Sequence, residues 1–459
     1  MTKTQTIIFL LLAISLSHFL HAQTPAFPGA EGYGKYTVGG RGGKVYIVDN
    51  LNDDGPGSLR EAVEAQGART VVFAVDGTIE LRSPLRINHD SITIAGQSAS
   101  GDGICLKDCP LVINASEVIV RYLRIRVGDR YRHDSDALGG GRYGQKNVVL
   151  DHLSVSWSID ECLSIYKTEN LTVQWCLVAH SLHHSLHTKG NHGFGGIWGG
   201  YKATFHHNLL ANHASRNPRF SSVDGTKWVD YRNNVVYNWG FKAAYGGGHH
   251  AEINFVNNYY KPGPATEHHR ILDVAEDATG RYYVSGNQLE GDKRLSQDNH
   301  LAVTDKPGKP YVPDVKALRQ REGIAPEAIP LPGEASASCL VDEPFPYEPL
   351  PEESARQAYR RVLKEVGCSF RRDSYDYEVL RQVRKGLGTF GHQGIINSPA
   401  EVGGWPLLKA GKPQTDTDRD GIPDEWEKRH GLNPHMSDAA GYALSPVYTN
   451  LEVYVNSLL

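Results

Sequence analysis

The sequence predicts an all-β chain wound as a parallel β-helix, with a partly helical C-terminal extension and a small ion-binding tail. The first observation behind this is a repeat. Short apolar runs begin at Ile92, Val118, Val148, Leu171, Ala203, Val229, Ile253 and Tyr282, separated by 26, 30, 23, 32, 26, 24 and 29 positions. Strand-rich units of this length, without long amphipathic helices, cannot bury their apolar faces alone and must stack on one another. The second is an asparagine at a fixed offset in the last four runs: Asn208, Asn234, Asn258 and Asn287. In a stacked coil these amides form an internal ladder that satisfies backbone groups at the bends. A β-sandwich or propeller is the competing fold, but its units should contain clearer two-residue hairpin turns such as Asn-Gly or Asp-Gly. Variation in unit length belongs to loops on one face, often the binding face.

Taken in order, residues 1–22 read as an export signal: Lys3, an apolar run from Ile7 to Ile14 that continues to Leu20, and Ala22 before the cut. No later stretch is apolar enough to span a bilayer, so no transmembrane anchor is expected. The mature chain is expected to begin near Gln23 as a soluble, secreted or periplasmic monomer. A net charge of −4 gives no bulk field for nucleic acid or anionic membranes, so any polyanion must be held locally. Six cysteines suit an oxidising compartment. Pairing within Cys105/Cys109, Cys162/Cys176 and Cys339/Cys368 is the expectation, and buried thiols are the alternative.

The β-helix is placed over residues 23–305. Pro-rich segments and two helical patterns, Glu353 to Val366 and Tyr377 to Leu387, form an extension over 306–410 that packs on it. Within the β-helix, Arg216-Asn-Pro-Arg219 stands out, because Pro218 keeps Asn217 out of helical conformation and presents two guanidinium groups from a stiff bend. Such a bend holds carboxylate or phosphate, or is a solvated surface turn. His180, His183, His184, His187 and His192 invite a zinc reading, but no helical pattern places them on one face. Stacking inside the coil or along a groove is preferred, with His184 as a cleft residue. Trp198, flanked by Gly195-Gly196 and Gly199-Gly200, is a candidate sugar platform or a packed turn aromatic.

The tail, 411–459, carries the sharpest ion signal. Asp416, Asp418, Asp420, Asp424 and Glu427 fall at positions 1, 3, 5, 9 and 12 of an EF-hand-type loop, with Gly421 at position 6 and the Ile422 carbonyl at position 7. The expected ligand is a structural Ca2+.

Ala26-Phe-Pro-Gly-Ala-Glu-Gly-Tyr-Gly34, Thr37-Val-Gly-Gly-Arg-Gly-Gly43, Asp134-Ser-Asp136, Val149-Leu-Asp-His152 and Arg216-Asn-Pro218 together resemble the pectate lyases of polysaccharide lyase family 1. The likeness is to the secreted bacterial and fungal branch. It implies a right-handed β-helix, a catalytic domain over 23–305, and Ca2+-dependent β-elimination of pectate, an acidic plant cell-wall polysaccharide. It also makes Arg216 the base and Asp134, Asp136 and Asp160 the metal ligands. Three positions depart from the family pattern. Ser164 replaces a second acid, with Glu161 as the substitute ligand. Leu182 stands where a substrate-binding lysine is usual, with Lys189 able to reach back. Ser221 replaces a second arginine, leaving Arg219 as the substrate clamp.

The chemistry fits these residue types. Elimination from a uronan removes a weakly acidic proton beside a carboxylate, and a cation on that carboxylate stabilises the developing charge. Two other readings stay open. A hydrolase would use Asp151 and Asp160 as acid and base, and a binding module would keep the groove without chemistry.

Overall fold

The computed structural model describes residues 23–131, 134–141, 144–275, 279–304 and 339–459. The export signal, the 305/306 boundary and the extension up to residue 338 lie outside these residues.

Three parallel sheets wind through residues 44–304, one of ten strands and two of nine. The first sheet runs from Lys44–Val48 and Arg69–Phe73 through to Arg281–Ser285, the second from Gly77–Glu80 to Gln288–Leu289, and the third from Leu85–Ile87 to Val303–Thr304. Every run start named above is a register partner of the next: Ile92 with Val118, Val118 with Val148, Val148 with Leu171, Leu171 with Ala203, Ala203 with Val229, Val229 with Ile253, and Ile253 with Tyr282. The chain is therefore a parallel β-solenoid of about nine turns. Alternate residues of each strand fill one continuous core, in which Ile94, Val120, Leu150, Val173 and Phe205 are fully buried.

The amide ladder is present and complete. Asn208 donates its backbone N–H and its side-chain amide to Asn234 Oδ1, both at 3.0 Å. Asn234 does the same to Asn258, and Asn258 to Asn287. Each amide also donates to the carbonyl of a preceding strand, Val173, Phe205, Tyr231 and Phe255 in turn. Asn299, outside the repeat, accepts from Asn287 and extends the ladder.

The outer faces of two sheets are covered. Residues 26–43 run along the first sheet, where Tyr33 and Gly34 donate their backbone N–H groups to Thr204 and Thr172. Gly34 is required by close approach, since a Cβ there would stand 2.7 Å from Val148 O and Thr172 N. The helices Ala355–Glu365 and Ser374–Lys385 lay Val362, Leu363, Val379, Leu380 and Val383 over Leu177, Ala179, Leu209 and Tyr237, on strands of the second sheet. At one end of this contact Arg126 pairs with Asp373 at 2.7 Å and Asp376 at 2.9 Å, all fully buried or nearly so. The tail packs Ile422, Trp426, Leu451 and Tyr454 on Val72 and Ala95 of the first sheet.

None of the three expected cysteine pairs forms. Strand alternation points Cys105 away from the core that holds Ile104 and Leu106, while Cys109 lies inside it. The thiols of Cys105, Cys109, Cys162, Cys176 and Cys368 donate instead to the carbonyls of Leu106, Leu81, Ala179, Leu150 and His152.

Asn234→Ala removes the acceptor of two donors on Asn208 and the donor to Phe205 O. It is expected to cost at least about 2 kcal/mol, read as a fall in thermal or denaturant midpoint. An unchanged midpoint would contradict a structural role for the ladder.

Candidate active site

The site lies along one edge of the third sheet, where register aligns four residues from four consecutive turns. Leu138 pairs with Leu163, so Asp136, two residues earlier, stacks on Glu161. Glu161 bridges Phe194 directly. Phe194 in turn lies under the Arg216 guanidinium of the following turn. Asp136, Glu161, Phe194 and Arg216 thus form a column, and Phe194 is a member that the sequence reading missed.

Arg216 sits with φ of 59°, and its carbonyl accepts the Gly196 N–H at 2.8 Å. Gly195 is required beneath it, because a Cβ would stand 2.3 Å from that carbonyl. The guanidinium lies over the Phe194 ring at 4.7 Å, contacts Glu161 through Nη1, and stands 3.9 Å from Asp160 Oδ1. Its Nε is buried without a hydrogen-bond partner.

One ligand oxygen from each of Asp136, Asp160 and Glu161 lies within 4.8 Å of the others. Consecutive acids converge here because 159–160 is a bend and Glu161 only an isolated bridge, so regular alternation does not apply. Ser164, in the following strand Leu163–Ile165, accepts the Ile197 N–H and stays out of the cluster. Asp160 Oδ1 is buried and faces His192 Nε2 at 3.0 Å. The all-oxygen donor set of Asp136, Asp160 and Glu161 fits Ca2+. Asp134 is exposed and accepts from the Thr188 backbone at 3.2 Å and from the Thr188 hydroxyl, tying down the 182–193 loop.

Asp160, His187 and His192 form a second possible donor group. His187 Nδ1 accepts the Lys189 N–H at 3.0 Å, which leaves the proton on Nε2, the atom facing Asp160, and blocks ligation there. Burial holds His192 below the usual imidazole range, with His187 and Lys189 adding to the effect and Asp160 opposing it. Lys189 is thus near the cluster, on an exposed stretch of the loop. His184 is exposed, pairs with Asn191, and donates its backbone N–H to Asn397 of the extension at 2.9 Å. Leu182 is buried and bridges Ile396.

Arg219 is half-buried beside Tyr245, in a 330 Å³ cavity that Lys242 and His249 also line. Trp198 requires correction. It is fully buried, stacks on Phe205 with centroids 4.7 Å apart, and donates its indole N–H to Leu163 O. Its strand position turns the ring into the core, and the flanking glycines serve close packing between turns: a Cβ at Gly196 would stand 1.9 Å from Leu163 O.

Asp151, the other acid a hydrolase would need, is fully buried. It bonds Arg121, His152 and Gln174, each at 2.8 Å. Against the burial that would raise it, His152 and Arg121 hold its carboxyl below the ordinary range.

In the tail, Asp416, Asp418 and Asp420 bring oxygens within 4.8 Å of one another, and Asp420, Glu427 and Asp438 form an adjoining group. Asp438 was not anticipated, since it lies beyond the twelve-residue loop. Burial, then the surrounding acids, push Glu427 up to about 7; burial and Asp418 push Asp420 up to about 6. Asp418 Oδ2 and both Glu427 carboxylate oxygens are buried without hydrogen-bond partners, which fits a cation. Ile422 is buried, its side chain packed in the tail core. Asp424 turns away onto the Thr417 N–H and hydroxyl, both at 2.7 Å.

No helix among the described residues is long and apolar enough to cross a membrane. No family model matches the chain. Over 460 residues it is 36% identical to "Probable pectate lyase C" of Aspergillus fumigatus, covering 98% of this chain and 97% of that one. "Probable pectate lyase C" of Aspergillus flavus is 35% identical over 460 residues with the same coverage. The crystal structure of jun a 1, the major allergen from cedar pollen, superposes with a TM-score of 0.51 at 18% identity, over 74% of this chain and 92% of the allergen, a likeness of fold alone. With relatives more than a third identical along almost their whole length, the chain belongs to the pectate lyase family of polysaccharide lyases.

Proposed function

We propose that the protein is a secreted pectate lyase that cleaves de-esterified homogalacturonan by Ca2+-assisted β-elimination. The observation that carries this is the column of Asp136, Glu161, Phe194 and Arg216, with Asp160 beside it. It sets an oxygen-only cation site against a guanidinium. Asp136, Asp160 and Glu161 hold the Ca2+, which supplies Lewis acidity to the substrate carboxylate when bound. Asp134 orders the loop that carries His184 and Lys189, and Lys189 and Arg219 hold uronate carboxylates on either side.

Arg216 takes the proton from the carbon next to the carboxylate, the carbon–carbon double bond forms as the glycosidic oxygen leaves from the neighbouring carbon, and that oxygen takes a proton from water to become the hydroxyl of the other sugar end. A guanidinium is normally only a donor. To act as a base it must first give up a proton, which a cation held on the adjacent acids and an alkaline medium would favour. The hydrolytic reading loses its nominated Asp151, which is locked into ion pairs with Arg121 and His152. In the tail, Asp416, Asp418, Asp420, the Ile422 carbonyl and Glu427 hold a separate, structural Ca2+. Asp424 acts there through Thr417 and not as a ligand.

Incubation with polygalacturonate in Ca2+ buffer is expected to raise the ultraviolet absorbance of unsaturated ends, and a chelator to abolish the rise while circular dichroism shows the chain still folded. New reducing ends without absorbance would establish hydrolysis, and neither signal would establish binding alone. Arg216→Lys is expected to lower kcat by at least about 100-fold while polygalacturonate affinity stays within a few-fold. A near-normal rate would remove Arg216 as the base.

A further inference from the structure

The tail loop lacks one of its customary ligands, and the fold brings a replacement from outside it. Asp424, at the ninth position, spends both carboxylate oxygens on Thr417. Asp438 reaches the other side of the cluster, with an oxygen within 4.8 Å of those of Asp420 and Glu427. Glu427 is fully buried, and neither of its carboxylate oxygens has a hydrogen-bond partner. Desolvated carboxylates facing one another call for a counter-charge between them or a proton on one of them.

The segment around Asp438 is built to hold it in place. Asp420 Oδ2 accepts the backbone N–H groups of Asp438 and Ala439 at 3.0 and 2.8 Å. The Asn450 amide donates to Asp438 O at 3.0 Å and to Oδ1 at 3.1 Å. Asn450 opens the closing helix Asn450–Ser457. That helix bonds the β-helix flank through Glu452 to Arg41 at 2.8 Å and Asn456 to Arg121 at 3.0 Å, and buries Leu451 and Tyr454 with Val72 and Ala95. Gly421 of the loop lies on the same sheet, where a Cβ would stand 3.0 Å from side-chain carbons of Val45 and Val72.

We propose that Asp438 is a ligand of the tail cation, and that this divalent ion, Ca2+ by its all-oxygen donors, fastens the closing helix to the first turns of the β-helix. This rests on the reading of the tail as a Ca2+ site. The ion joins three separate segments, the loop, the start of the helix Asp424–His430 and the Asp438 turn, and through Asn450 it sets where the closing helix docks. The tail is then a latch on the N-terminal flank of the solenoid.

The test titrates Ca2+ alone into the full-length mature chain and follows protease cleavage within residues 411–459 by mass spectrometry. The wild-type tail is expected to become protected. Asp438→Asn, which keeps the oxygen that Asn450 contacts, is expected to raise the Ca2+ concentration for half-protection about tenfold or more. Asn450→Ala, which leaves every acid in place, is expected to raise it about tenfold, and reports the same coupling if Asp438→Asn fails to fold. Asp424→Asn is expected to shift it less than about threefold. Wild-type behaviour of Asp438→Asn, or equal losses in Asp438→Asn and Asp424→Asn, would overturn the assignment while leaving a tail Ca2+ site standing. A wild-type tail indifferent to Ca2+ would overturn both.

Discussion

Parallel pairing between successive turns is the constraint on which the structure depends. Each turn sets its residues about 4.8 Å from their equivalents in the next, so residues far apart in sequence become a column on one edge. Asp136, Glu161, Phe194 and Arg216 are brought together from successive turns in this way. No single loop carries the cation cluster and the arginine together. The buried amide ladder helps to fix the register over the later turns, since slipping one turn by a residue would break two donors and an acceptor at every rung.

A solenoid leaves apolar residues on its outer faces, and the rest of the chain covers them. The extension covers Leu177, Ala179, Leu209 and Tyr237, and it reaches the candidate active site as well, because the Leu182–Ile396 bridge and the His184–Asn397 contact hold the loop that carries Lys189. The tail covers Val72 and Ala95. Arg124 and Arg126 point out of the coil onto Asp373 and Asp376, a buried network in which loss of one partner leaves a charge uncompensated. Stability and site geometry are in this way coupled through the same appended segments.

The repeat was legible because strand starts and ladder asparagines recur in composition as well as position, and all eight run starts proved to be register partners. The two turns before Ile92 were missed: Lys44–Val48 and Arg69–Phe73 carry no asparagine and are separated by a helix, Leu59–Glu64. At the candidate site, the family resemblance nominates Asp134, Asp136, Asp160, Glu161 and Arg216, but a linear motif does not reveal which neighbour a loop residue meets. Asp134 faces Thr188 and Asp424 faces Thr417, although both sit at ligand-like spacings. Phe194 becomes visible only once the long turn between Leu171 and Ala203 is aligned. Asp438 has no motif at all, being brought to the loop by the closing helix. Trp198 misled because glycine flanks suggest an exposed turn, whereas in a coil they also mark close packing.

The central claim is that stacked turns assemble one cation site beside Arg216. Its most direct test is anomalous diffraction from crystals of the Arg216→Lys chain grown with Ca2+ and a short oligogalacturonate. The account predicts an ion between the carboxylates of Asp136, Asp160 and Glu161, with the sugar carboxylate on it and the side chain at 216 facing the adjacent carbon. An ion held by Asp160 with His187 and His192, or a sugar bound away from residue 216, would contradict it.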